Sequence, residues 1–161
     1  VERYEPMVEF IKEVKEHGVK VGVASSSKNC EAILEKGGVL DLFETRVDGL
    51  VSETLGLRGK PEADIFVTAA RNLGAEPAKS IVVEDANSGV AAGRNGGFGL
   101  VLGVAREHNV DALLANGADI VMKDLSYMKI DWLQKWFQRK PHHLLKQWKE
   151  IDNPSSVQLS Q

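Results

Sequence analysis

This chain of 161 residues has one cysteine, Cys30, so no internal disulfide can form and stability must come from a hydrophobic core. It also lacks an apolar run long enough to span a bilayer and a signal-like amino terminus, which argues against a membrane or exported protein and points to the cytoplasm. Positive charge is not in excess: 20 Lys and Arg face 23 Asp and Glu, a formal net charge of -3, which disfavours a nucleic-acid partner. No glycine-rich phosphate loop follows the first strand-like run and no phosphoacceptor aspartate ends one, which weakens a nucleotide-binding or response-regulator-like reading. Internal repeats and low-complexity blocks are missing too. The first residue is Val1 rather than methionine, as expected of a processed chain or a piece of something longer.

What is present is an alternation of two hydrophobic periods. Met7, Phe10, Ile11 and Val14 share one helical face, Pro6 suits a first turn and Gly18 ends the pattern, so residues 6–17 are expected as a helix. Residues 19–24 are short, β-branched and mostly apolar, as in a buried parallel strand, and stop in Ser25-Ser26-Ser27. A helix over 28–36, an apolar run at 46–51 and a helix over 62–73 follow. Then come a strand at 80–83, a helix over 88–95 and strands at 98–102 and 119–122. Such alternation gives an α/β fold, a Rossmann-like parallel sheet in three layers with helices on both faces. Beyond Tyr127, Trp132, Trp136, Phe137, Leu144, Leu145, Trp148 and Ile151 suggest two amphipathic helices separated by Pro141. The expected organisation is a core domain over 1–126, a helical extension over 127–152, and a disordered tail or linker over 153–161.

In sheets of this kind ligands bind beyond the carboxyl ends of the strands, and polar residues collect there. Ser25, Ser26, Ser27, Lys28 and Asn29 follow the first strand, Gly59-Lys60-Pro61 precedes the 62–73 helix, and Glu84-Asp85 follows the 80–83 strand. Hydroxyls and the free N–H groups of a helix start suit a phosphate. Lys60 offers a compact positive charge for a transferring phosphoryl group. Glu84 and Asp85 are hard oxygen donors of the kind that hold Mg²⁺. Each has a plainer alternative. Serines after a strand are commonly a helix N-cap, and a lysine before proline is commonly solvated. The tryptophans read as packing residues, His142-His143 has no partner at ligand spacing, and Cys30 reads as an inert buried thiol.

Taken in order, three of these segments resemble the haloacid dehalogenase-like phosphatases, and within them the β-phosphoglucomutase-like branch, over residues 5–126. Val21-Gly22-Val23-Ala24-Ser25-Ser26-Ser27-Lys28-Asn29 is similar to the second motif, which implies phosphate binding by Ser25. Gly59-Lys60-Pro61-Glu62-Ala63-Asp64-Ile65-Phe66 is similar to the third, which implies that Lys60 orients phosphate and nucleophile. Ile81-Val82-Val83-Glu84-Asp85-Ala86-Asn87-Ser88-Gly89-Val90 is similar to the fourth, which implies Mg²⁺ on Glu84 and Asp85. Ser27-Lys28-Asn29 is similar to members that handle sugar phosphates, where the lysine and asparagine contact a phosphate group.

The first motif, Asp-x-Asp-x-Thr, is missing, and with it the nucleophile and the general acid and base. Asp64-Ile65-Phe66-Val67-Thr68 has the outer letters, but Phe66 stands in the middle and the segment lies on an amphipathic helix. The helical cap that selects substrate is missing as well. In the family the first-motif strand lies between the strands placed here at 19–24 and 80–84, so its absence would leave a gap in the sheet. The expected remedies are a longer chain, a partner chain that supplies the strand, or direct pairing of the two flanking strands. The resemblance implies Mg²⁺-dependent phosphoryl transfer on a small phosphorylated metabolite, a sugar phosphate above all, with little turnover from this chain alone. The alternative is a noncatalytic phosphate-binding or interaction module of a larger fusion.

Overall fold

The computed structural model describes residues 5–106, 108–139 and 156–160. Along the chain run α1 (Glu5–Glu16), β1 (Lys20–Ala24), α2 (Cys30–Lys36), β2 (Thr45–Val47), α3 (Gly49–Leu55) and α4 (Asp64–Asn72). They are followed by β3 (Ser80–Glu84), α5 (Asn87–Asn95), β4 (Leu100–Val104), α6 (Val110–Asn116), β5 (Ile120–Met122), α7 (Ile130–Gln138) and β6 (Ser156–Ser160). Six strands form one sheet in the order β2-β1-β6-β3-β4-β5. Every pairing in it is parallel.

The strands read as apolar runs because both faces of the sheet are covered. On β3, Ile81 and Val83 join Phe10, Ile11 and Val14 of α1 and Leu133 of α7 in one core. The residue between them, Val82, joins Phe66, Ala69 and Ala70 of α4 and Val90 of α5 in the other. The period of two along the strand thus meets two helical layers, and each fully buried Phe, Ile or Val is worth about 1.5–3 kcal/mol of transfer free energy. Trp136 and Phe137 pack against the first of these cores, and the Trp136 indole donates to the Gly99 carbonyl at 2.7 Å, so the tryptophans described are packing residues.

Three local readings change. The apolar run at 46–51 is split between β2 and the short helix α3, because Asp48 stops the strand and caps the helix, its carboxylate accepting from the Val51 amide at 2.9 Å. The strand at 98–102 begins only at Leu100. The Gly99 amide is turned toward the Pro77 and Ser80 carbonyls, and a Cβ at Gly99 would lie 2.2 Å from the Ala78 carbonyl oxygen. The helix α6 has no counterpart in the sequence reading; its anchor is Leu113, fully buried against the second core. The helix expected after Pro141, with Leu144, Leu145, Trp148 and Ile151, lies outside the described residues, as does His142-His143.

The main correction concerns the tail. Residues 156–160, expected within a disordered tail or linker, form β6, and β6 lies in the middle of the sheet. It pairs with β1 from Lys20↔Ser156 to Ala24↔Ser160, and with β3 from Ser80↔Ser156 to Val83↔Leu159. The gap left by the missing first-motif strand is therefore filled from within the chain. The flanking strands do not pair with each other, and no partner chain is needed to complete the sheet. Ser156-Val157-Gln158-Leu159-Ser160 is too polar and too short to read as a buried strand. What overrides its composition is the row of backbone donors and acceptors that β1 and β3 would otherwise leave unpaired on both sides. Among the described residues no helix is long and apolar enough to cross a membrane.

Deletion of residues 156–161 removes both central ladders. At about 0.5–1.5 kcal/mol net per backbone hydrogen bond, the loss is comparable to the 5–15 kcal/mol that holds a typical domain together. The shortened chain is expected to lose its cooperative thermal transition by circular dichroism; an unchanged Tm would show that β6 does not hold the sheet.

Candidate active site

The residues singled out by the sequence gather at the carboxyl ends of β1 and β3. Ser25 follows β1 and is 1% exposed; its amide donates to the Val47 carbonyl at 2.9 Å and its hydroxyl accepts from the Ser27 amide at 3.1 Å. The Ser27 hydroxyl accepts in turn from the Asn29 amide at 3.0 Å. Both serines thus stiffen the turn into α2, the plainer role that serines after a strand commonly take. The Asn29 side chain makes no capping bond to α2. The loop is tied to α3 by the Gly49 amide, which donates to the Ser27 carbonyl at 2.9 Å. Only glycine permits this approach, since a Cβ at Gly49 would stand 2.6 Å from the Ser26 carbonyl oxygen.

Lys60, from the loop between α3 and α4, reaches Glu84 at the end of β3 with Nζ 3.1 Å from Oε2. The pair is buried, 9% and 0% exposed for the two side chains. The other oxygen of Glu84 accepts from the backbone amides of Asp85 and Ala86, each at 3.1 Å. A buried carboxylate survives only with such compensation. Its room is provided by Gly89 on α5, where a Cβ would fall 1.9 Å from the Glu84 carboxyl carbon. Lys60 also sits 5.7 Å from the centre of the Phe66 ring. Asp85, more open, pairs with Arg106 at 2.5 Å.

A cavity of about 410 Å³ opens beside this pair, lined by Ser26, Lys28 and Lys60 from two loops and by Ser52 and Glu53 of α3. Ser25, Ser27, Asn29, Glu84 and Asp85 do not line it. Lys28 and Glu53 form an exposed ion pair at 2.5 Å. Asp48, which fixes α3, is 1% exposed. Burial pushes its carboxyl up, but the Val51 amide and the Arg46 guanidinium outweigh that and hold it below the ordinary aspartate range. Burial, with the Asp48 charge behind it, pushes the Cys30 thiol up, as expected of an unreactive cysteine.

As a metal site the carboxylates offer the right chemistry but only part of a donor set. Glu84 is engaged by a lysine and two amides, Asp85 by an arginine, and the described residues hold no group of three or more His, Cys, Asp or Glu able to take a metal ion. Sequence reading missed Asp48, Ser52, Glu53, Gly89 and Arg106. Only Gly89 carried a signal, a glycine three places into a helix that follows a carboxylate-ended strand. Asp64, set aside as a nucleophile, starts α4 and is held by the Arg58 guanidinium at 3.0 and 3.1 Å.

A family model described as haloacid dehalogenase-like hydrolase matches residues 2–97. The β-phosphoglucomutase of Mycobacterium bovis is 39% identical over 120 residues, which is 73% of this chain and 46% of that protein. A trehalose-phosphate phosphatase of Mycobacterium leprae is 36% identical over 122 residues, 73% of this chain and 27% of that protein. Among solved structures, a β-phosphoglucomutase from Clostridium difficile superposes with a TM-score of 0.69 at 25% identity, covering 82% of this chain and 55% of that one. The chain spans about half the length, or less, of these relatives.

Two measurements check the geometry. Lys60→Met leaves Glu84 buried without its cation and is expected to cost about 3–5 kcal/mol in urea denaturation. Adding Glu84→Gln should recover much of that loss, whereas additive losses would show that the two groups do not interact. Asp48→Ala should cost about 0.5–2 kcal/mol at neutral pH through the lost cap. Because the folded pKa of Asp48 is depressed, its contribution is complete above the ordinary aspartate value of 3.8 and fades as pH falls through the lower folded value. The difference in stability between Asp48→Ala and the parent chain should therefore shrink in that acid window.

Proposed function

Since the chain belongs to the haloacid dehalogenase-like hydrolase family, we propose that it is the phosphate-binding portion of a magnesium-dependent enzyme that transfers or hydrolyses the phosphate of a small phosphorylated sugar. The observation that carries the reading is the buried Lys60–Glu84 pair at the strand ends, beside the loop that holds Ser25. A lysine largely buried and fixed by Glu84 supplies preorganised positive charge where a phosphoryl group gains negative charge, with little reorganisation at the moment of reaction. Ser25 and the loop of Ser26 and Ser27 bind the reacting phosphate, Lys60 orients and neutralises it, and Lys28 and Asn29 contact the sugar phosphate. Asp85, with Glu84 behind it, contributes to holding Mg²⁺, which when bound offsets the charge on the phosphate oxygens. The substrate class follows the sugar-phosphate names of the relatives.

The nucleophile and the acid and base are not among these residues, and β6, which occupies the central slot, contains no Asp or Glu. This chain alone is therefore expected to turn over little or no substrate. The same feature favours a second reading, a noncatalytic phosphate-binding or interaction module of a larger protein.

Mg²⁺-dependent hydrolysis of an aryl phosphate is the deciding assay, run on this chain and on a longer polypeptide that carries any upstream Asp-x-Asp, each with Asp85→Ala as control. Activity confined to the longer polypeptide and lost in the control is the expected result. Inorganic phosphate bound by the chain, with no turnover by any longer form, would favour the module. Turnover by this chain alone, lost in the control, would mean that another residue supplies the nucleophile.

A further inference from the structure

The cavity beside Lys60 is larger than a phosphate requires, so the α3 residues that line it are placed to meet the rest of the ligand. These are Glu53 and Ser52. Glu53 is 68% exposed and holds Lys28, itself 59% exposed, at 2.5 Å. The Ser52 hydroxyl is buried and has no hydrogen-bond partner among the described residues. A buried hydroxyl without a partner is costly and uncommon, and a ligand hydroxyl is a natural partner for it. The charges around the cavity are balanced: Lys60 is matched by Glu84 and Lys28 by Glu53.

We infer that the cavity takes a monophosphorylated, hydroxyl-rich ligand, and that Glu53 is the residue that disfavours a second phosphate. The inference rests on the phosphoryl-transfer reading above and sharpens it. A phosphate group near neutral pH carries about -1.5 to -2 charges. One phosphate has a place at Lys60 and Ser26, which line the cavity. The other lysine of the lining is Lys28, so a second phosphate would have to displace Glu53 from it and then lie beside the displaced carboxylate. A sugar hydroxyl meets no such opposition, since it donates to Glu53 and leaves the ion pair in place. Moving a phosphate between two positions of one sugar requires the site to hold a bisphosphorylated sugar by both ends. Hydrolysis requires one phosphate site only: the bond from phosphorus to the sugar oxygen breaks, the sugar leaves with a proton, and water supplies the oxygen of the phosphate released. The arrangement of Lys28 and Glu53 thus suits hydrolysis rather than mutation.

The test is calorimetric titration of the chain with inorganic phosphate, glucose 1-phosphate and glucose 1,6-bisphosphate, for the parent and for Glu53→Gln and Glu53→Asp. The parent is expected to bind the monophosphate more tightly than the bisphosphate. Glu53→Gln should shift the ratio of the two affinities about fivefold toward the bisphosphate at low salt, the size of one like-charge contact at about 4 Å in water. Glu53→Asp should keep the parent's preference. A parent that binds the bisphosphate as tightly as the monophosphate, or a ratio unmoved by Glu53→Gln, would overturn the inference while leaving the phosphate site intact. Failure to bind any of the three, inorganic phosphate included, would overturn the phosphoryl-transfer reading with it.

Discussion

The middle of a parallel sheet must be filled. β1 and β3 are buried along most of their length and each presents a row of backbone donors and acceptors to the slot between them, so those groups need partners within the protein. β6 meets this demand along nearly its whole length, in register with both neighbours. The cores on the two faces and the spacing between the ends of β1 and β3 follow from it. Ser25 and Glu84, the residues just after Ala24 and Val83 in those strands, are held one strand apart by a segment that supplies neither of them.

Around that frame the chain treats charge in two ways. Glu84 is wholly buried and is met from three directions, by Lys60 and by two amides, with Gly89 leaving the space it occupies. Such a pair is fixed in place and little screened by salt, which suits a group whose task is to present charge in one direction. Lys28 and Glu53 are mostly exposed, and pairs of that kind contribute about 1 kcal/mol or less. They are free to rearrange when a ligand arrives. Lys60 of the rigid pair and both members of the labile pair line the same cavity.

Much of this was legible in the sequence. Hydrophobic period alone marks α1, β1, α2, α4, β3, α5 and β5 to within a few residues, because each has one dominant face or one unbroken apolar run. Lys60 and Glu84 stand 24 positions apart; the rule that ligand residues collect at strand ends marks Glu84, whereas Lys60, in a loop between two helices, is marked by the resemblance of its segment to the third motif. Besides α6, three things were not legible. The helix α3 was hidden inside a run that Asp48 divides, and a single capping residue is a weak signal beside Val47, Leu50 and Val51. The engagement of Ser25 and Ser27 in their own turn is a matter of hydrogen-bond geometry, which spacing does not reveal. β6 was unreadable for a deeper reason: its strand character comes from its neighbours rather than from its own residues, and no local pattern reports a gap elsewhere in the sheet.

The strand at the centre of the sheet is also the last of the described strands along the chain. Of the described strands, β1 and β2 can pair, and β3, β4 and β5 can pair, before β6, which joins the two groups, has been synthesised. Until β6 arrives, two half-sheets face each other with open edges, the state most prone to borrow a strand from another molecule. Joining them is a long-range closure, slow by its contact order, that falls at the end of folding rather than at its start. Anything that delays it lengthens the time during which those edges stay open, so the segment that reads as the least structured part of the sequence governs how safely the rest of it folds.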